Sequence, residues 1–150
     1  FQVDGSIYFS ARSFLKNPLG LNDSLQNQTY HHPALIPAMS WNREENVAPP
    51  SPPKKLQIAR SGHQVLLQWE GNIHQDINKY VIYISHGEDP PSLSDAKAIL
   101  GTSYYPNFSF EEQGRGLFRK KHTLIITAVD KDQRESFASE PIQIRLHTEE

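Results

Sequence analysis

The chain has 150 residues, 37% of them hydrophobic and 21% charged, enough for one domain of ordinary size or a smaller domain with an attached piece, and too few for a complete (β/α)8 barrel of about 200 residues or more. Fifteen basic side chains against 17 acidic ones leave a formal charge of −2, so no global field favours nucleic acid or an anionic membrane surface. The absence of cysteine excludes disulfides, thiolate metal sites and a cysteine nucleophile.

The chain opens on Phe1 rather than Met and reads as a processed or excised piece, with any targeting information upstream. No stretch reaches the run of about 20 apolar residues needed to cross a bilayer. The first 48 residues hold one strand-like run at the start, one helical candidate and a proline-rich tail. Asn46-Val-Ala-Pro49-Pro50-Ser-Pro52-Pro53 then divides the chain, because consecutive prolines fix φ, lack amide donors and favour an extended, semi-rigid spacer.

Beyond the linker the pattern is period-two alternation in short runs punctuated by Gly, Asp, Asn and Pro, which predicts a mainly β, sandwich architecture. Leu56 and Ile58 mark a first strand; Val65, Leu67 and Trp69 mark a second after the Ser61-Gly62-His63 turn. Tyr80, Ile82 and Ile84 mark a third. Ser92 to Leu100 reads as a short helical turn or an irregular crossover, and Tyr104 to Phe110 as a strand. Leu124, Ile126 and Ala128, then Ile142, Ile144 and Leu146, mark the last two.

Those residues carry a resemblance. Pro52-Pro53 leading to Leu56, Val65-x-Leu67-x-Trp69, Tyr80-x-Ile82-Tyr83, Leu124-x-Ile126-x-Ala128-Val129-Asp130 and the closing Arg134-Glu135-Ser136-x-x-Ser139-x-Pro141 together resemble a fibronectin type III domain, over residues 50 to 147. The resemblance implies an immunoglobulin-like β-sandwich. It also implies a tyrosine at the start of the sixth strand, where this chain has His122, after Leu117.

The first 48 residues resemble something else. Asp4-Gly5-Ser6-Ile7-Tyr8-Phe9-Ser10, Phe14-Leu15-x-Asn17-Pro18-Leu19-Gly20-Leu21-Asn22-Asp23-Ser24-Leu25 and Pro33-Ala34-Leu35-Ile36-Pro37-x-Met39-x-Trp41 are similar to the end of the barrel in bacterial family-10-like glycosylhydrolases. That resemblance implies a partial β/α segment, the eighth strand and helix of a truncated TIM barrel whose remainder lies upstream. It implies a secreted, periplasmic or lipoprotein-anchored parent. The organisation is then a barrel remnant over 1–48, a linker over 49–53 and a sandwich over 54–150.

A glycosidase needs two facing carboxyl groups, and the first part offers only Asp4, Asp23, Glu44 and Glu45. Asp4 precedes its strand rather than following it, whereas barrel sites form at strand C-terminal ends. Asp23 suits a helix start, and Glu44-Glu45 a solvated stretch. No catalytic residue is assigned. Tyr8, Phe9 and Ser10 are the candidate remnant of the barrel rim, against the alternative that those pointing inward fill its core. The seven histidines lack ligand spacing, no loop gathers acids as calcium sites do, and no metal or cofactor is expected. Arg115, Arg119, Lys120 and Lys121 read as a solvated loop whose field Glu111 and Glu112 weaken, rather than as an anion site. The Asn-x-Ser/Thr matches at Asn22, Asn27 and Asn107 carry little weight.

Strands three and six are neighbours in the fold that the resemblance implies. With the even-numbered residues of both pointing inward, Val81, Tyr83 and Ile125 share the outer face as an apolar docking or glycan-contact patch. Its two readings are a sugar platform centred on Tyr83, and a surface covered by the N-terminal segment or the barrel. The second is favoured, since one aromatic makes a poor platform. Ile7, Phe9, Phe14, Leu15, Leu35 and Ile36 need cover from the sandwich or from a second copy, making a homodimer through residues 1–48 a possible partner arrangement. The expected role is a non-catalytic accessory module that braces or spaces a catalytic barrel, the alternative being a carbohydrate-binding module.

Overall fold

The computed structural model describes residues 11–39, 48–71, 76–112 and 119–147. The chain forms two compact units, Phe1–Ala34 and Leu35–Glu150. The strand-like run at residues 1–10 lies outside the described residues.

The described part of the first unit is helical in short pieces. Helix α1 (Ala11–Lys16) ends at Asn17, whose φ of 45° is left-handed, and a tight turn at Pro18–Gly20 leads into α2 (Leu21–Ser24), which widens into a π-helical turn over Leu25–Thr29. Asn17 organises the junction. Its Oδ1 accepts the Asn22 amide at 2.7 Å and its Nδ2 donates to Asp23 Oδ2 at 2.9 Å. Asp23 lies in the first turn of this helix but caps no amide; its carboxylate accepts from Asn17 instead.

The second unit is a sandwich of two antiparallel sheets. Strands β1 (Lys54–Ser61), β2 (Gln64–Glu70) and β5 (Asn107–Glu111) form one in the order β1-β2-β5; β3 (Ile77–His86), β4 (Ile99–Ser103), β6 (Arg119–Asp130) and β7 (Ile142–His147) form the other in the order β4-β3-β6-β7. Gly62, at φ 61°, closes the β1–β2 turn. Inward positions alternate as the sequence predicts: Val65, Leu67, Trp69, Tyr80, Ile82, Leu124, Ile126, Ala128, Ile144 and Leu146 form one buried core, with the Trp69 and Tyr80 rings edge-on at 5.2 Å. Apolar burial of this kind is the main stabilising term, about 1.5 to 3 kcal/mol for each large side chain.

The stretch from Ser92 to Phe110 resolves into three parts. A single 3-10 turn, Ala96–Ala98, is capped by Asp95, whose side chain accepts the Lys97 amide at 2.9 Å. Strand β4 follows, and the strand expected over Tyr104 to Phe110 begins only at Asn107, because Tyr104 to Pro106 bend the chain from one sheet to the other. Gly101 in β4 lies under the Phe108 ring of β5; a methyl group there would stand 2.6 Å from Phe108 Cζ.

Strand β6 departs from simple alternation. Every residue from His122 to Asp130 is buried, although a sheet with one solvated face leaves every second position open. The outer face of this sheet is covered.

Candidate functional site

The cover comes from three places in the sequence. On the outer face Val81, Tyr83, Ile125 and Val129 join Ala98 in a second buried cluster, against which Leu35, Ile99 and Ala138 pack. Leu35 arrives from the segment before the proline run, Ala98 from the crossover turn, and Ala138 from the loop between β6 and β7. The Met39 amide donates to Asp132 O at 2.9 Å, so residues 35 to 39 lie as a strap on the sandwich.

The β6–β7 loop is held by side chains standing in for main-chain groups. Asp130 Oδ1 accepts the amides of Asp132 and Arg134, both at 2.9 Å, and Asp130 Oδ2 accepts Arg134 Nε at 2.7 Å. Further on, the Ser136 and Ser139 hydroxyls accept the Ala128 and Ile126 amides at 2.9 and 3.0 Å, while the amides of Ser136 and Ser139 donate to the carbonyls of Ala128 and Ile126 at 2.8 and 2.9 Å. This lays Glu135 over the sheet. The Tyr83 hydroxyl donates to Glu135 Oε1 at 2.7 Å and Thr127 Oγ1 to the same oxygen at 2.6 Å. Burial, with the bond to Glu135 and its charge adding, pushes the Tyr83 phenol well above the ordinary tyrosine range. It stays a protonated donor throughout the physiological range.

Val81, Tyr83 and Ile125 are thus brought together on the outer face, as their register requires: Tyr83 stands opposite Ile125 and Val81 opposite Thr127. They are also fully or almost fully buried. A sugar platform needs an exposed ring face, and Tyr83 presents none, so glycan contact through these three residues is corrected: they form the seat of the strap. The rim candidates Tyr8, Phe9 and Ser10 lie outside the described residues.

At one pole of the sandwich, polar groups tie the two sheets together. The Glu112 carboxylate is completely buried beside Arg60 of β1, and Arg60 also donates to Arg145 O of β7. The His147 amide reaches Glu112 Oε2 at 3.4 Å, and Arg119 Nε donates to His147 Nε2 at 2.8 Å. Arg119 and Lys121, the latter paired with Glu88, are therefore engaged in structure; Arg115 lies outside the described residues. Glu112 sits 52 positions from Arg60 and carries no local pattern that marks it out.

His122, in the place of the expected tyrosine, is buried, with Nδ1 at 3.0 Å from Lys120 O and its ring 4.6 Å from that of His86 opposite it in β3. Burial is the main cause holding its pKa below the ordinary histidine value; the bond to the Lys120 carbonyl opposes this, and the charges of His86 and Lys120 add to it. The unfolded chain therefore binds a proton that the folded one refuses. Stability is intact above the unfolded value of about 6.5 and falls as pH drops below it toward the folded value. Urea titrations between pH 8 and 5 should show this loss, and it should be smaller in His122→Asn.

A groove of about 490 Å³ lies along the sandwich flank, lined by Pro52 to Leu56 and Ala138 to Ile142. Among the described residues Glu140 is the one carboxylate in its lining, without the facing partner that glycoside hydrolysis uses. Among the described residues no group of three or more His, Cys, Asp or Glu side chains is placed to hold a metal ion. Among them, too, no helix is long and apolar enough to cross a membrane.

Two antiparallel sheets ordered in this way define a fibronectin type III-like β-sandwich. Solved structures agree: an Fn3-like protein from Clostridium thermocellum is 19% identical over 69% of this chain and 99% of its own, with a TM-score of 0.50. The chicken CNTN1 FN1-FN3 domains are 12% identical over 66% of this chain and 32% of theirs, also at 0.50. At such identities the likeness shows the fold alone. No family model matches. In sequence the chain is 31% identical over 148 residues to the glycosyl hydrolase YngK of Bacillus subtilis, a match that takes in 91% of this chain and 26% of that protein. The chain thus spans about a quarter of the relative it matches, and a match of that extent includes residues of both compact units.

Proposed function

We propose that the chain is a non-catalytic accessory part of a secreted or otherwise extracytoplasmic bacterial glycoside hydrolase. Residues 1–48 are the end of its barrel, and the sandwich braces that barrel from its C-terminal side. The observation that carries the reading is the strap. A spacer needs only a tether, whereas here Leu35 and the Met39 amide are built into the sandwich on the N-terminal side of the proline run. The relatedness to a glycosyl hydrolase over residues of both units supports membership of such an enzyme. So does the first unit, where Leu15 and Leu19 are almost wholly exposed: short helices with uncovered leucines belong to a larger body. In the isolated chain those leucines would favour pairing with a second copy.

The experiment is an assay of the 150-residue chain on a set of aryl glycosides. The proposal expects no turnover. Turnover that disappears when a single carboxylate is changed to its amide would overturn it.

A further inference from the structure

The loop between β4 and β5 carries an exposed aromatic pair. Tyr104 and Tyr105 are 73% and 71% exposed, side by side in sequence. An exposed tyrosine pair is a surface to account for, since its rings are large apolar areas left in water. The tip is not a loose excursion. The Tyr105 amide donates to Ser103 Oγ at 3.2 Å, and the Trp69 amide to Pro106 O at 3.1 Å. Below it the Phe108 ring rests on Gly101, which locks the two stems of the loop together although they belong to different sheets.

Its chemistry narrows the partner. From Ala98 to Phe110 there are thirteen residues without a single charged side chain or histidine, in a chain that is 21% charged. The polar groups flanking the pair in sequence are Thr102, Ser103 and Asn107, hydroxyls and an amide. Exposed aromatic rings beside neutral hydrogen-bonding groups match a ligand that is apolar on one side and hydroxylated at its rim. The stretch itself carries no cation for a phosphate or a uronate and no anion for a basic peptide. We propose that Tyr104 and Tyr105 form a contact site for a neutral polysaccharide, the rings stacking on the C–H faces of pyranose units. This rests on the glycoside hydrolase reading above, and it moves glycan contact from the buried outer face to the β4–β5 tip.

Affinity electrophoresis of the full chain through gels containing β-glucan, galactomannan or arabinoxylan, with polygalacturonate as the acidic control, tests it. At least one neutral glycan should retard the chain and polygalacturonate should not. Tyr104→Ala with Tyr105→Ala should lower the affinity at least about tenfold, close to 1.4 kcal/mol, while the paired phenylalanine variant, which keeps both rings, retains most of it. The side chains are exposed, so the far-UV spectrum and melting temperature should not change. Unaltered mobility on all three neutral glycans, or equal retardation of the double alanine variant, would overturn the site. The accessory reading is judged separately, by the aryl glycoside assay and by the strap measurement described below, neither of which involves the tip.

Discussion

Tyr83→Ala should destabilise the sandwich by about 3 to 5 kcal/mol, the range for deleting a large buried aromatic. Domains of this size have about 5 to 15 kcal/mol in total, so this one change removes a large share. Tyr83 is fully buried, packs with Val81, Ile125, Ala98 and Leu35, and sends its hydroxyl to Glu135. Removing the ring opens a cavity beneath the strap and frees Glu135 from one of its two donors. Tyr83→Phe keeps the packing and loses a single bond, and should cost about 1 to 2 kcal/mol. Equilibrium urea denaturation separates these outcomes from an exposed ring, for which alanine would change stability by no more than about 0.5 kcal/mol.

The second large effect is expected at the pole. Arg60→Ala leaves the Glu112 carboxylate buried without its guanidinium, and breaking such a pair costs about 3 to 5 kcal/mol. The same change removes a donor to the Arg145 carbonyl across the two sheets. Replacing both partners, as Arg60→Met with Glu112→Leu, should recover most of the loss, because no unpaired charge then remains. A cost below about 1 kcal/mol for Arg60→Ala would mean that the pair behaves like a solvent-exposed one.

The alternating strands were readable because each side chain's position follows from the period of two. Val65-x-Leu67-x-Trp69 and Tyr80-x-Ile82 place themselves in this way. The cover on the outer face was half readable. Thr123 to Val129 is apolar or β-branched at both parities, the mark of a strand buried on both faces. What covers it was expected only as the N-terminal segment or the barrel; the contribution of Leu35 in a proline-flanked stretch has no periodicity, and its partners lie more than forty positions away. Strand β4 was missed for a different reason, since Gly101 interrupts a short edge segment whose hydroxyl residues resemble a turn. Tyr104 to Phe110 reads as one strand because it continues the alternation, which Pro106 breaks by bending the chain after Tyr104 and Tyr105. Arg60 and Glu112 meet only through tertiary structure.

The bracing account depends on the strap being part of the sandwich, and thermal denaturation of residues 35–150 beside residues 49–150 tests this directly. Losing Leu35 and the Met39 amide uncovers Val81, Tyr83 and Ile125 at a cost of about 1 to 2 kcal/mol from apolar exposure. For a domain of roughly a hundred residues that lowers the melting temperature by about 5 to 15 °C. The account predicts that drop. Equal melting temperatures for the two forms would contradict it, leaving the segment before the proline run a mere tether.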